Sequence, residues 1–197
     1  ENAQKIYARV MKFFVITCCF MFLFISLFIE VFGWFFMAID KPLWAQGLQV
    51  VPLLALGNIF LGVYYNLSIW YKLTDKNNYG AMITIAGALI TIGLNIVLIP
   101  SLHYLGAALA TFLCYTFMML VSYYMGQQYY PVPYATKKLS AYLVIVLVMY
   151  GLQKTILYFF PLLWLGIIIG FTCIGLFTWL VVWAEQKELS KLFRKTN

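Results

Sequence analysis

Chemistry at a protein site needs a nucleophile beside a base, a pair of carboxylates, or a set of metal ligands. This 197-residue sequence offers one histidine and six acids, too few and too scattered to make any of them. His103 is followed by Tyr104 and reads as an interfacial residue; Glu30 and Asp40 lie at or beyond the end of the first apolar run, and Asp75, Glu185 and Glu188 fall in a loop or the tail. Cys18, Cys19, Cys114 and Cys173 all sit inside apolar runs without metal-like spacing, so they read as small apolar fillers, with no disulfide framework and no metal or other cofactor expected. An enzyme is therefore not the expectation. What remains is polar residues able to hold a cargo or a neighbouring helix: Asn58, Asn95 and the cation Lys154.

The elements that carry these residues follow from composition. The sequence is 64% hydrophobic and 10% charged, with a mean hydropathy of +0.91, which leaves too little polar surface to coat a water-soluble fold. Apolar runs of twenty or more residues also argue against a transmembrane β-barrel, whose strands alternate over about ten residues. With about 20 apolar residues needed per crossing, six helical spans are expected: 11–32, 47–70, 79–100, 103–125, 139–160 and 162–183. Breaks fall at Asp40-Lys41-Pro42, Thr74 to Asn78, Pro100-Ser101, Gln127 to Lys138 and Phe160-Pro161. The first run is too long for the apolar region of a signal peptide, and no cleavage site follows it.

Six crossings put both termini on one side. Lys5, Arg9, Lys12, Lys72, Lys76, Lys137, Lys138, Lys187, Lys191, Arg194 and Lys195 then share that side, while Lys41 and Lys154 fall opposite. This is the positive-inside pattern, so both termini are expected in the cytoplasm. The net charge of +7 is accounted for by this topology and by anionic membrane lipid, with no nucleic acid partner required. Aromatic residues agree: Trp34, Trp44, Tyr104, Tyr158 and Trp164 fall at outer ends, and Tyr7, Trp70, Tyr71, Tyr79, Tyr129, Tyr130, Trp179 and Trp183 at inner ends.

Within the spans, Thr84, Ala88, Thr91 and Asn95 recur on one helical face, and Gly106, Ala110 and Cys114 follow at four-residue spacing. Both stripes suit close helix packing, and Asn95 either bonds a neighbouring helix or meets cargo. Pro52, Gly57 and Gly62 mark possible bending of the second span, where Asn58 is a cavity candidate or interhelical glue. Glu30 and Lys154 lie near enough to the outer end to reach the headgroups, although Lys154 facing a cavity would hold an anionic cargo. Leu189, Leu192 and Phe193, among lysines in the tail 184–197, have the spacing of a short amphipathic surface helix.

The run Val50-Val51-Pro52-Leu53-Leu54, then Gly62-Val63-Tyr64-Tyr65-Asn66-Leu67-Ser68, Leu94-Asn95-Ile96-Val97-Leu98-Ile99-Pro100 and Leu105-Gly106-Ala107-Ala108-Leu109-Ala110-Thr111 resembles the C-terminal half of Wzx-type polysaccharide flippases, in the multidrug/oligosaccharidyl-lipid/polysaccharide (MOP, MATE-like) exporter superfamily. Ile29-Glu30-Val31 resembles the acidic end of that family's seventh span. The resemblance covers under half of the chain. It implies an all-α, six-helix bundle forming one lobe of a two-lobe transporter, with a missing N-terminal lobe as its partner; Glu1, not an initiator methionine, is expected to begin a processed product or a piece of something longer. It also implies movement of an undecaprenyl-pyrophosphate-linked oligosaccharide across a bacterial inner membrane for O-antigen, lipopolysaccharide or capsule export. Cargo-cavity residues would be Asn58, Tyr65, Asn95 and Lys154. A MATE-like exporter of small molecules and a stand-alone six-span structural subunit are the alternatives.

Overall fold

In the computed structural model, residues 2–193 are described, with side chains placed for residues 3–186. The chain is a helical membrane protein, and no strand occurs among the described residues. Its elements are α1 (Asn2–Leu27), α2 (Ile29–Ala38), α3 (Pro42–Gly47), a 3-10 turn (Leu48–Val50), α4 (Val51–Leu67), α5 (Ile69–Leu73), α6 (Asn77–Tyr129), α7 (Thr136–Phe159) and α8 (Leu163–Phe193). Lipid offers no partners to backbone N–H and C=O groups, so apolar runs of this length satisfy themselves as helices. Five stretches are long and apolar enough to cross a membrane: Ala3–Leu27, Pro42–Leu73, Asn77–Tyr129, Thr136–Phe159 and Leu163–Gln186.

The third of these is longer than one crossing, and its contacts show why. At 1.5 Å per residue a straight helix would separate Tyr79 from Tyr129 by about 75 Å, yet their hydroxyls are 3.4 Å apart. The Cys114 thiol likewise donates to the carbonyl of Gly87 at 3.2 Å, across 27 residues. α6 is therefore a hairpin of two antiparallel arms, 77–102 and 104–129. It reverses at His103, whose φ of 50° and ψ of −127° are not helical. A non-glycine residue there is strained by on the order of 1–3 kcal/mol. Packing of the arms holds it in place. A Cβ on Gly106 would come within 2.4 Å of the Leu98 carbonyl oxygen, so only glycine lets the second arm leave the turn this close to the first. The expected break at Pro100-Ser101 thus lies two to three residues early, and the proline itself is accommodated inside the helix.

α1 is the hub. Half of its apolar window is buried, against 22% or less for the other four stretches. Met11, Val15, Cys19, Phe22, Leu23 and Leu27 recur every three or four residues and are buried among α4, α7 and α8. Phe177 of α8 is fully enclosed, with its ring edge-on to Phe20 at 4.9 Å. A second core joins α4 to the α6 hairpin through Tyr64, Ile83, Cys114 and Met118.

The first expected span, 11–32, is broken at Phe28, where α1 gives way to α2. The carbonyl freed at Leu27 is not left bare, because the Gln153 amide of α7 donates to it at 2.9 Å and to the Gly166 carbonyl of α8 at 3.0 Å. The sixth span also runs on: α8 continues past Trp183 and places Glu185 inside a helix rather than in a tail. The side chains of Leu189, Leu192 and Phe193 lie outside the described residues.

Candidate functional site

Lys154 and Glu30 meet. The ammonium of α7 donates to the carboxylate of α2 in an ion pair that is partly exposed on both sides. They line a depression of about 260 Å³ with Gln49, Pro52 and Tyr150, and the Tyr104 hydroxyl at the α6 turn donates to Gln49 at 3.4 Å. An anion reaching Lys154 would have to compete with a carboxylate already bound to it.

Asn58 lies elsewhere, in an apolar groove of about 340 Å³ between α1 and α4 lined by Cys18, Met21, Phe22 and Leu54. The side-chain amide donates to the Leu54 carbonyl one turn back at 2.9 Å. Tyr65, two turns further along α4, shares this open face and is 63% exposed. The groove and the depression around Lys154 adjoin, since Phe22 of one touches Tyr150 of the other with ring centroids 5.9 Å apart. Asn95, on the first arm of α6, carries a buried side-chain oxygen with no hydrogen-bond partner among the described residues. The four candidates are thus spread over three places: an ion pair, one face of α4, and an α6 arm.

The small-residue stripes divide in the same way. Ala110 is fully buried, Gly106 meets the backbone of the first arm, and the Thr91 hydroxyl turns back to the Gly87 carbonyl at 2.9 Å. The buried face of the first arm is Gly80, Ile83 and Gly87. Ala88, beside it, is exposed. Thr84 is within 3.3 Å of the Tyr64 hydroxyl.

The most enclosed charges are at the basic end of the bundle. Glu185 of α8 accepts from Lys12 of α1 at 2.6 Å, from Lys138 of α7 at 3.2 Å and from the Tyr142 hydroxyl at 2.9 Å. Lys12 and Glu185 are both buried. This corrects the reading of Glu185 as a tail residue: with three donors, its carboxylate ties the middle of α1 and the start of α7 to the last third of α8. A signal was present, because aligning the basic ends of the first, fifth and sixth expected spans puts Lys12, Lys138 and Glu185 at one depth. Nearby, Trp70, Tyr79 and Tyr129 form an aromatic cluster, with Trp70 stacked on Tyr129 at 5.5 Å and the Lys76 ammonium 3.4 Å from the centre of the Tyr129 ring.

No group of three or more His, Cys, Asp or Glu side chains stands close enough to hold a metal among the described residues. Comparison with known protein families, with curated proteins and with solved structures gave no match.

Proposed function

We propose that this chain is one lobe of a two-lobe transporter that carries an undecaprenyl-pyrophosphate-linked oligosaccharide across the bacterial inner membrane by alternating access. Six crossings, counting the two arms of α6 separately, leave both termini in the cytoplasm. No bond is made or broken. The oligosaccharide and its headgroup pass along the open α1–α4 face carrying Asn58 and Tyr65, while the lipid tail stays in the bilayer. Lys154 exchanges Glu30 for the cargo phosphate, and Asn95 offers its free acceptor to sugar hydroxyls.

The observation that carries this reading is the segment from Leu94 to Thr111, in which the residues resembling the flippase family coincide with the strained reversal at His103 and the close contact at Gly106. Sorting of eleven basic residues to one side and two to the other supports the orientation.

The test is transbilayer movement of a labelled undecaprenyl-pyrophosphate oligosaccharide in vesicles reconstituted with the protein at its full native length. Movement well above that of protein-free vesicles, reduced by Asn58→Ala, is expected. A rate equal to that of protein-free vesicles, with the protein folded, overturns the reading. Movement of a small organic cation in its place assigns the chain to small-molecule export.

A further inference from the structure

The connection between α6 and α7 separates two depressions of opposite character. Residues 131–135 are not helical, and successive bonds from Tyr134 N to Val132 O at 2.8 Å and from Thr136 N to Tyr134 O at 2.9 Å keep the segment near extended. Side chains in such a chain alternate between its two sides. Pro133 and Ala135 border a depression of about 250 Å³ whose other walls include Lys5, Arg9 and Lys12 of α1. Tyr134 and Thr136 border a cavity of about 360 Å³ between α1, α4, α6 and α7, with Phe60, Leu120, Met119 and Leu143 among its apolar walls.

We propose that these adjoining depressions hold one anionic phospholipid of the surrounding leaflet, its phosphate among Lys5, Arg9 and Lys12 and one acyl chain in the apolar cavity. Charge complementarity identifies the occupant. By sequence, the basic side carries eleven Lys and Arg against Glu1, Asp75, Glu185 and Glu188, so cations are in surplus there however they pair. An arginine or lysine already engaged with a carboxylate keeps further N–H donors for a phosphate oxygen. Tyr134 stands at the boundary, and burial, reinforced by Tyr123 and Tyr130, pushes its phenol up to about 12. It therefore stays a neutral hydroxyl beside the acyl chain. The cavity opens beside Leu120, which is 56% exposed, so a chain can enter from the bilayer. This inference rests on the membrane-spanning character of the helices and is independent of transport.

The experiment is native mass spectrometry of the full-length protein in detergent, given equal amounts of palmitoyl-oleoyl phosphatidylglycerol and phosphatidylcholine. Selective retention of one phosphatidylglycerol is expected. Lys5→Gln and Arg9→Gln should each weaken it about fivefold, whereas Lys72→Gln, a basic residue of the same side away from the site, should leave it unchanged. Leu143→Trp, which fills the cavity, should abolish retention; Leu120→Trp, at the exposed mouth, gives the same readout should the first variant not fold. Equal retention of both lipids, equal weakening by Lys72→Gln, or full retention in a folded cavity-filling variant overturns the proposal. So does displacement of phosphatidylglycerol by an equal amount of added undecaprenyl pyrophosphate. Retention is read without cargo, so its failure and that of the transport assay are separately visible.

Discussion

Two carboxylates, each paired with lysine, close the two ends of the bundle in different ways. At the basic end the Glu185 side chain is 1% exposed and takes three donors from α1 and α7. At the opposite end the Glu30 side chain is 50% exposed and takes its bond from Lys154 alone among the described contacts. A buried charge that loses its partners pays the full penalty of desolvation, whereas an exposed one is rehydrated. The first end is a bolt and the second a clasp: parting the helices costs more at Glu185 than at Glu30.

The largest effect should come from breaking the bolt. Glu185→Ala leaves Lys12 buried without its carboxylate and is expected to cost about 3–5 kcal/mol, read as a fall in the thermal unfolding temperature in detergent. If Glu30→Ala costs as much, the contrast between the ends fails. Next is Gln153→Leu, which strips donors from the Leu27 and Gly166 carbonyls and should cost about 2 kcal/mol, with faster amide exchange around Phe28. Gly106→Ala pushes a methyl group against the Leu98 carbonyl and is expected to cost about 1–3 kcal/mol. Its sign is checked by crosslinking cysteines placed at Leu98 and Leu109, which should become less efficient as the arms of α6 part. The smallest effect belongs to the clasp: Glu30→Gln should change stability by less than about 1 kcal/mol. Raising salt should erase that small difference and leave the Glu185→Ala difference nearly intact, because only the exposed pair is screened.

The parts legible in the sequence are those set by local pattern. Apolar run lengths reveal membrane-length helices, and the punctuation at Asp40-Lys41-Pro42 and Thr74 to Asn78 falls at breaks between them, since apolar length and backbone restriction act on the chain where they occur; the start of α1 and the end of α8 lie nine and ten residues outside the expected spans. Of the expected small-residue stripe, Gly106 stands against the backbone at Leu98 and Ala110 is fully buried. Other features depend on partners far away in the chain. Nothing around Phe28 announces a break: no proline or glycine stands there, and the helix can afford the interruption because Gln153, 126 residues later, receives the loosened carbonyl. Glu185 looks like the first polar residue of a tail until Lys12, 173 residues away, is placed beside it. Lys154 could be read as cargo-facing or as interfacial, and the deciding neighbour, Glu30, is separated from it by 124 residues. Helical periodicity reports which face of one helix is apolar, but not which other helix will cover it.

The span between Lys12 and Glu185 also sets an order of events during synthesis. The α6 hairpin closes on contacts made within its own arms and can form as soon as both have entered the bilayer. Lys12, in contrast, is made before α2 to α7, and its carboxylate partner emerges only after α7 and most of α8. Until then the ammonium lacks the carboxylate that holds it in the finished bundle. α8 is therefore the helix that completes the seating of α1, and a ribosome that stops before Glu185 leaves Lys12 and Lys138 without the carboxylate that joins them.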